Sequence, residues 1–227
     1  MSNFQQYFRN LDRWRLAWLL VFGSTLTFAG ADLDKVLLVA AQKYGNHGLE
    51  SVGAWRKLLL DAANQTESVQ IRQVNEFFNR KVQFEEDINI WGERDYWATP
   101  VEMLGRGQGD CEDFAIAKFA TLRILGVPVQ KLQLTYVKAR IGGAHSTTTQ
   151  AHMVLSYYQT PNDEPLVLDN LVSDVRAASR RPDLSPVFSF NTEGVWVGGA
   201  QSRETHSTER LSRWRKLLAR MREEGID

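Results

Sequence analysis

The one cysteine in this chain, Cys111, stands in the run Gly107-Gln108-Gly109-Asp110-Cys111-Glu112-Asp113. A glycine-rich bend, then Asp, then an apolar run reads as a helix start, which places the thiol in the first turn. A helix N-terminus carries partial positive charge and unpaired N–H groups. Both favour a thiolate, the form that attacks carbonyls, and the same N–H groups suit a tetrahedral oxyanion. A lone thiol is ordinarily a buried core residue. Here it sits among Asp110, Glu112 and Asp113, an odd place for a structural one. An attacking thiolate needs an imidazole, and the imidazole needs a group that sets its tautomer. His47 falls in a turn between helices, His145 in a Gly/Ser/Thr loop and His206 near the start of the last helix; His152 alone opens an apolar strand. Asp169 closes the next apolar strand, after Leu166-Val167-Leu168. The midpoint between 152 and 169 falls at the Thr160-Pro161 turn, so the two residues should lie opposite or nearly opposite across a hairpin. Singly, His152 reads as a satisfied edge histidine and Asp169 as a strand-end turn former. With Cys111 at a helix start they make a nucleophile, a base and an orienting acid, the set for acyl transfer.

The acids beside the thiol have two readings. Asp110 can cap the helix, Asp113 at the third helical position can answer it, and Glu112 suits the dipole. The same three can offer oxygens to Ca²⁺, which accepts six to eight such ligands in loose geometry. On the residues alone, capping is the stronger reading.

The elements that must carry these residues follow from periodicity. Apolar positions recur at helical spacing over 33–44, ending at Gly45, then over 49–63 and 67–82. A loop rich in Trp, Asp and Pro runs from 84 to 109 and includes Trp91 and Trp97, which read equally as groove walls and as core. The helix begun at Cys111 carries Ala115, Ile116, Phe119, Leu122 and Ile124 and ends before Gly126 and Pro128. From 131 the period becomes two, giving strands over 131–140, 151–159, 166–169, 186–190 and 195–197, the last pair turning at 191–194. A charged helix closes the chain over 203–224; its Arg210, Arg213, Arg215 and Lys216 read as a solvated face rather than a partner surface. Helices followed by an antiparallel sheet predict an α+β fold.

Composition narrows the function. Seven Trp and eleven Phe argue for a packed core, and a net charge of zero gives no reason to expect a nucleic-acid partner. A single Cys makes no internal disulfide, and with four His a zinc cluster is a poor fit. Arg9, Arg13 and Arg15 precede an uncharged stretch over 16–29, and Ala29-Gly30-Ala31 supplies a small-x-small site. That stretch is shorter than the roughly 20 residues of a membrane span, so residues 1–31 read as a signal peptide or N-terminal anchor. Export to a periplasm is the expectation, with 32–227 as one domain.

The run Asp95-Tyr96-Trp97-Ala98-Thr99-Pro100-Val101-Glu102, the Gly109-Asp110-Cys111-Glu112-Asp113 core, Ala151-His152-Met153-Val154 and Leu168-Asp169-Asn170 together resemble the bacterial transglutaminase-like cysteine proteases, within them the LapG type. The resemblance implies a papain/transglutaminase-like fold, with Cys111, His152 and Asp169 as nucleophile, base and orienting acid. It implies calcium dependence, with Asp110, Glu112 and Asp113 as ligands, and it tips the acids from capping towards Ca²⁺. It further implies cleavage of the N-terminal region of a large surface adhesin at a di-alanine site. Release of that adhesin disperses a biofilm, under restraint by an inner-membrane cyclic di-GMP receptor. Two rivals remain on sequence: a transglutaminase passing the acyl group to an amine, and a non-catalytic docking module.

Overall fold

The Asp32 side chain accepts from the backbone N–H of Lys35 at 3.0 Å, and this cap opens helix α1, Leu33–Ala62. The structure, a computed structural model, describes residues 30–197, 200–203 and 208–227; the expected leader (but for its last two residues) and His206 lie outside them. The two helices expected over 33–44 and 49–63 form one run bent at Gly45, where φ 59° and ψ −145° leave the helical region. Residues with a Cβ enter such backbone only at a cost, and this is why Gly marks the bend. Val36, Ala40, Val52, Trp55 and Leu59 form the buried stripe of α1, and Ile71, Val74 and Phe78 that of α2, Glu67–Lys81. No helix among the described residues is long and apolar enough to cross a membrane.

The segment expected as a loop over 84–109 contains more order than its composition suggests. Strand β1, Gln83–Phe84, precedes helix α3, Asp87–Ile90, helix α4, Pro100–Arg106, and strand β2, Gln108–Gly109. A capping box explains α4. The Thr99 hydroxyl accepts from Glu102 N–H at 3.1 Å, the Glu102 carboxylate accepts from Thr99 N–H at 2.8 Å, and Pro100 follows with φ already set. β1 and β2 pair in parallel, Gln83 with Gln108 and Phe84 with Gly109, so the end of α2 is tied to the residues just before Cys111.

Helix α5, Cys111–Ile124, is the core of the molecule. Every residue from Asp113 to Leu122 is buried, the pattern of a helix enclosed on all sides rather than one with a single inward face. Helices α1, α2 and α4 crowd one side; Trp55 Nε1–H, on α1, donates to Thr121 Oγ1 at 2.9 Å. The sheet covers the other side. Its strands are β3 (Leu132–Arg140), β4 (Thr149–Tyr157), β5 (Leu166–Leu168), β6 (Arg176–Ala177), β7 (Leu184–Phe190), β8 (Val195–Val197) and β9 (Ala200–Arg203), antiparallel throughout in the order β6-β5-β4-β3-β7-β8-β9. Alternation along the strands sends Leu132, Leu134, Met153, Leu155 and Leu168 to the helices, while Val137, Val154 and Val167 form a small second cluster. Helix α6, Thr208–Glu224, returns to seat Trp214 beside Trp97, Phe119 and Phe190. The α+β fold expected from sequence is the fold observed. Trp97 is buried in that aromatic cluster, so its role is core.

Helices α1 and α4 meet closely at one point. A Cβ added to Gly105 would fall 2.2 Å from the Tyr44 ring, a distance no packed carbon tolerates. Gly105→Ala is therefore expected to cost about 1–3 kcal/mol by overpacking, read as a lowered Tm in thermal unfolding. An unchanged Tm would mean that the two helices part there without resistance.

Candidate active site

Cys111 is the first residue of α5, held at the mouth of the buried helix by what precedes it. Gln83 N–H donates to Gly107 C=O at 3.0 Å and Glu85 N–H to Gly109 C=O at 3.1 Å, which pins the bend. Gly109 lets the chain pass close to Asp113: a Cβ there would lie 3.0 Å from Asp113 Cβ and 3.1 Å from Asp113 Oδ2. The cap read from sequence is present. Asp110 Oδ1 accepts from Glu112 N–H at 3.1 Å and from Asp113 N–H at 3.4 Å, while Asp113 Oδ2 accepts from Asp110 N–H at 3.4 Å.

The thiol's surroundings differ from the expectation of a helix-stabilised thiolate. Sγ donates to Glu112 Oε2 at 2.7 Å, and the Met153 N–H of β4, next to His152, is aimed at the sulfur. Burial pushes the thiol well above its usual range; Glu112 and Asp110 push it further, against the smaller pull of the Met153 N–H. Partial charge at a helix terminus is small beside two nearby carboxylates in a site of low polarity.

His152 and Asp169 meet across the β4–β5 hairpin. The ladder pairs Leu155 with Leu168, which places Asp169, one step past β5, opposite Val154 and diagonal to His152. His152 Nε2 lies 2.7 Å from Asp169 Oδ1, both residues buried. Leu171 N–H donates to the same oxygen at 3.1 Å, and Arg181 Nη2 pairs with Oδ2 at 2.7 Å. Burial alone would raise the Asp169 carboxyl, but His152, the Leu171 N–H and the Arg181 guanidinium outweigh it and hold the group down at about 2. An ionised Asp169 requires that Nε2 carry a proton. That leaves Nδ1 as the imidazole's free nitrogen.

Arg181 was not evident in the sequence. It is buried, paired also with Asp183 at 2.7 Å, and nothing in Arg180-Arg181-Pro182-Asp183 singles it out. Lys118 was also missed. It lies on α5 two turns beyond Cys111, fully buried, its Nζ 5.5 Å from the centre of the Phe114 ring and without a hydrogen-bond partner among the described residues. Burial pushes its amine down to about 7, against the opposing pull of Asp169.

The carboxylates divide into two overlapping groups. Oxygens of Asp87, Asp110 and Asp113 lie within 4.8 Å of one another, and so do ligand atoms of Asp110, Cys111 and Glu112. Asp87, at the start of α3, was lost to sequence reading inside Glu85-Glu86-Asp87, with no local signal to separate it. Its Oδ2 accepts from Tyr96 N–H at 2.7 Å, and its buried Oδ1 has no partner among the described residues. Asp113 Oδ1 accepts from Ala98 N–H at 2.7 Å. Burial raises Asp87 to about 6 and Asp110 to about 10, in both cases aided by neighbouring acids, and lifts Asp113 well above the usual range. Clustered, desolvated carboxylates with an orphaned oxygen are short of positive charge. A hard divalent cation with oxygen ligands fits that deficit.

The chain is similar to proteins already known. The family profile of bacterial transglutaminase-like cysteine proteinases (BTLCP) matches residues 56–188. Among solved structures, Legionella pneumophila LapG is 40% identical, with a TM-score of 0.69 over 83% of this chain and 97% of that one. Its calcium-bound form is 41% identical, with a TM-score of 0.70 over 83% and 98% of the two chains. An EGTA-treated form matches at 41% identity and a TM-score of 0.70, covering 83% of this chain and 97% of that one. No curated protein matches the sequence.

Lys118 supplies a pH test of the site's interior. Its pKa falls from 10.5 in the unfolded chain to about 7 in the folded one. The unfolded state then binds more protons between those values, and stability rises with pH across that window. The burial penalty is full below pH 7 and gone above 10.5. Lys118→Met should raise Tm most at pH 6 and least at pH 10, measured against the wild type at each pH. Equal differences at both pH values would refute the assignment of a neutral buried amine.

Proposed function

Because the chain belongs to the bacterial transglutaminase-like cysteine proteinase family, we propose that it is a calcium-dependent endopeptidase working through Cys111, His152 and Asp169. The observation that carries this reading is the placement of the only thiol at the open end of α5, against the strand that bears His152, itself paired with buried Asp169.

In the proposed reaction Nδ1 of His152 takes the proton of Cys111 Sγ, and the sulfur attacks the substrate's peptide carbonyl carbon. Asp110 occupies the N–H groups of Glu112 and Asp113, which leaves the Cys111 N–H to hold the developing oxyanion. The imidazolium passes its proton to the leaving amine, and the C–N bond breaks to give a thioester. Water, deprotonated by His152, then hydrolyses the thioester and restores the thiol. Asp169 keeps Nε2 protonated and the ring oriented throughout, itself anchored by Arg181.

Asp87, Asp110 and Asp113 would hold the cation, with Glu112 adjoining through Asp110. When bound, Ca²⁺ supplies the positive charge that offsets the carboxylate field raising the thiol. Two of the matched LapG structures are described as calcium-bound and EGTA-treated, which supports the choice of ion.

The substrate class follows from the LapG resemblance. We assign the enzyme to the periplasm, with the N-terminal region of a large surface adhesin as substrate and a di-alanine site as the point of cleavage. An inner-membrane cyclic di-GMP receptor is its proposed inhibitory partner, so that adhesin release and biofilm dispersal follow when the receptor lets go.

The test is cleavage of a purified adhesin N-terminal fragment on a gel, with calcium, with a chelator, and with a polyamine acceptor. One calcium-dependent cut that leaves the acceptor unlabelled is expected; acceptor incorporation would favour the transferase, and no cut by folded protein would overturn the protease reading. Cys111→Ala should abolish cleavage while leaving thermal unfolding nearly unchanged. Asp87→Asn should raise the calcium needed for half-maximal cleavage by about tenfold or more; an unchanged requirement would remove Asp87 from the ligand set.

A further inference from the structure

The 95–98 segment holds two acids of the cation site through its backbone: Tyr96 N–H donates to Asp87 and Ala98 N–H to Asp113, each at 2.7 Å. Between them, the carbonyl of Trp97 is taken by Arg220 of α6. We propose that Arg220 is a positioning residue for the cation site, and that α6 acts as the clamp keeping the 95–98 backbone where Asp87 and Asp113 need it. The inference rests on the calcium reading above and adds a residue remote from the ligands in both sequence and contact.

Two further contacts make the guanidinium a clamp rather than a single tether. Its centre lies 4.8 Å from the middle of the Tyr96 ring, and its Nε lies 3.5 Å from Glu102 Oε1. Glu102, itself buried, accepts from Tyr96 O–H at 2.9 Å and from Thr99 N–H at 2.8 Å. Arg220 therefore grips the segment at Tyr96, at Trp97 and, through Glu102, at Thr99. One turn pair earlier on α6, Arg213 pairs with Asp95 at 2.5 Å, and Asp95 accepts from Trp97 Nε1–H at 3.1 Å. Trp214 closes the assembly against Trp97, ring centres 6.4 Å apart.

The physical reason for the coupling is electrostatic. Three ionised carboxylates sharing one small volume repel one another, and with no cation between them each stays in place only by what holds it. The Tyr96 and Ala98 N–H groups are those holds. Their position is no better fixed than the segment that bears them, and that segment has no regular secondary structure of its own. Groups beyond the ligands that orient a metal site commonly govern affinity by 10–100-fold.

The experiment is calorimetric titration of the apo protein with Ca²⁺, comparing wild type, Asp113→Asn, Arg220→Met, Arg220→Lys and Val74→Ala, each first shown folded by circular dichroism. Val74, buried on α2, gives a destabilised control away from the clamp. The expected result is a 10–100-fold weaker Kd for Arg220→Met, a smaller loss for Arg220→Lys, and a Val74→Ala Kd equal to wild type despite a lower Tm. Unchanged affinity in Arg220→Met, beside lost binding in Asp113→Asn, would overturn the clamp and leave the calcium reading standing. Equal weakening in Arg220→Met and Val74→Ala would reduce it to general destabilisation. Absence of Ca²⁺ binding in the wild type would instead sink the calcium reading itself. If Arg220→Met does not fold, Arg220→Lys carries the same comparison, since it keeps the charge and loses the fork.

Discussion

Enclosure of α5 on every side is the constraint from which the site follows. A helix in this position must be packed at close range, and its small residues Ala115, Ala117 and Ala120 let neighbouring helices and the sheet approach. Its first turn reaches the outside, so the thiol sits where the buried helix opens towards solvent. The same enclosure buries Asp113 and Lys118, charged residue types that are seldom fully buried without partners. Both show the consequence: the acid is driven up and the amine down, each towards its neutral form.

Two aspartates near that helix show how partners decide what burial does. Asp169 and Asp110 are both withdrawn from water, and desolvation pushes both upward. Asp169 has an imidazole, a backbone N–H and a guanidinium around it, and is held down at about 2. Asp110 has Glu112, Asp113 and Asp87 around it, and rises to about 10. Asp169 is thus satisfied by the protein alone. The acids beside the thiol have no positive charge among the described residues to offset them, which is the physical basis for proposing a cation there.

Linkage between distant parts of the chain is a second theme. The residues ahead of Cys111 are tied to the end of α2 through β1 and β2, and the 95–98 backbone is covered by α6. Asp169 is anchored by Arg181 and by Asn79 Nδ2–H, which donates to its main-chain carbonyl at 2.7 Å. The bend ahead of Cys111, the 95–98 segment and the end of β5 are each short, and each is held by contacts from a different element. Such outer support fixes reacting groups better than the loops could alone.

Features that depend on local pattern were legible without a structure. The helical stripes of α1, α2 and α5 show at 3.6 spacing, the break falls at Gly45, and the Asp110 cap falls just before Cys111. The pairing of His152 with Asp169 followed from the position of a single turn, since hairpin register is set by where the chain reverses. The Thr99-Pro100-x-Glu102 capping box was equally local, though a loop-like composition concealed it. What the tertiary structure decided is whatever depends on charge meeting charge across the fold. Asp87 joins Asp110 and Asp113, Arg181 reaches Asp169, Arg220 grips Trp97, and burial, Glu112 and Asp110 together push the thiol upward. Sequence specifies periodicity, caps and turns because those interactions span a few residues. Desolvation and long-range ion pairing have no sequence spacing, so only the folded chain determines which acids share a site and what each of them is worth.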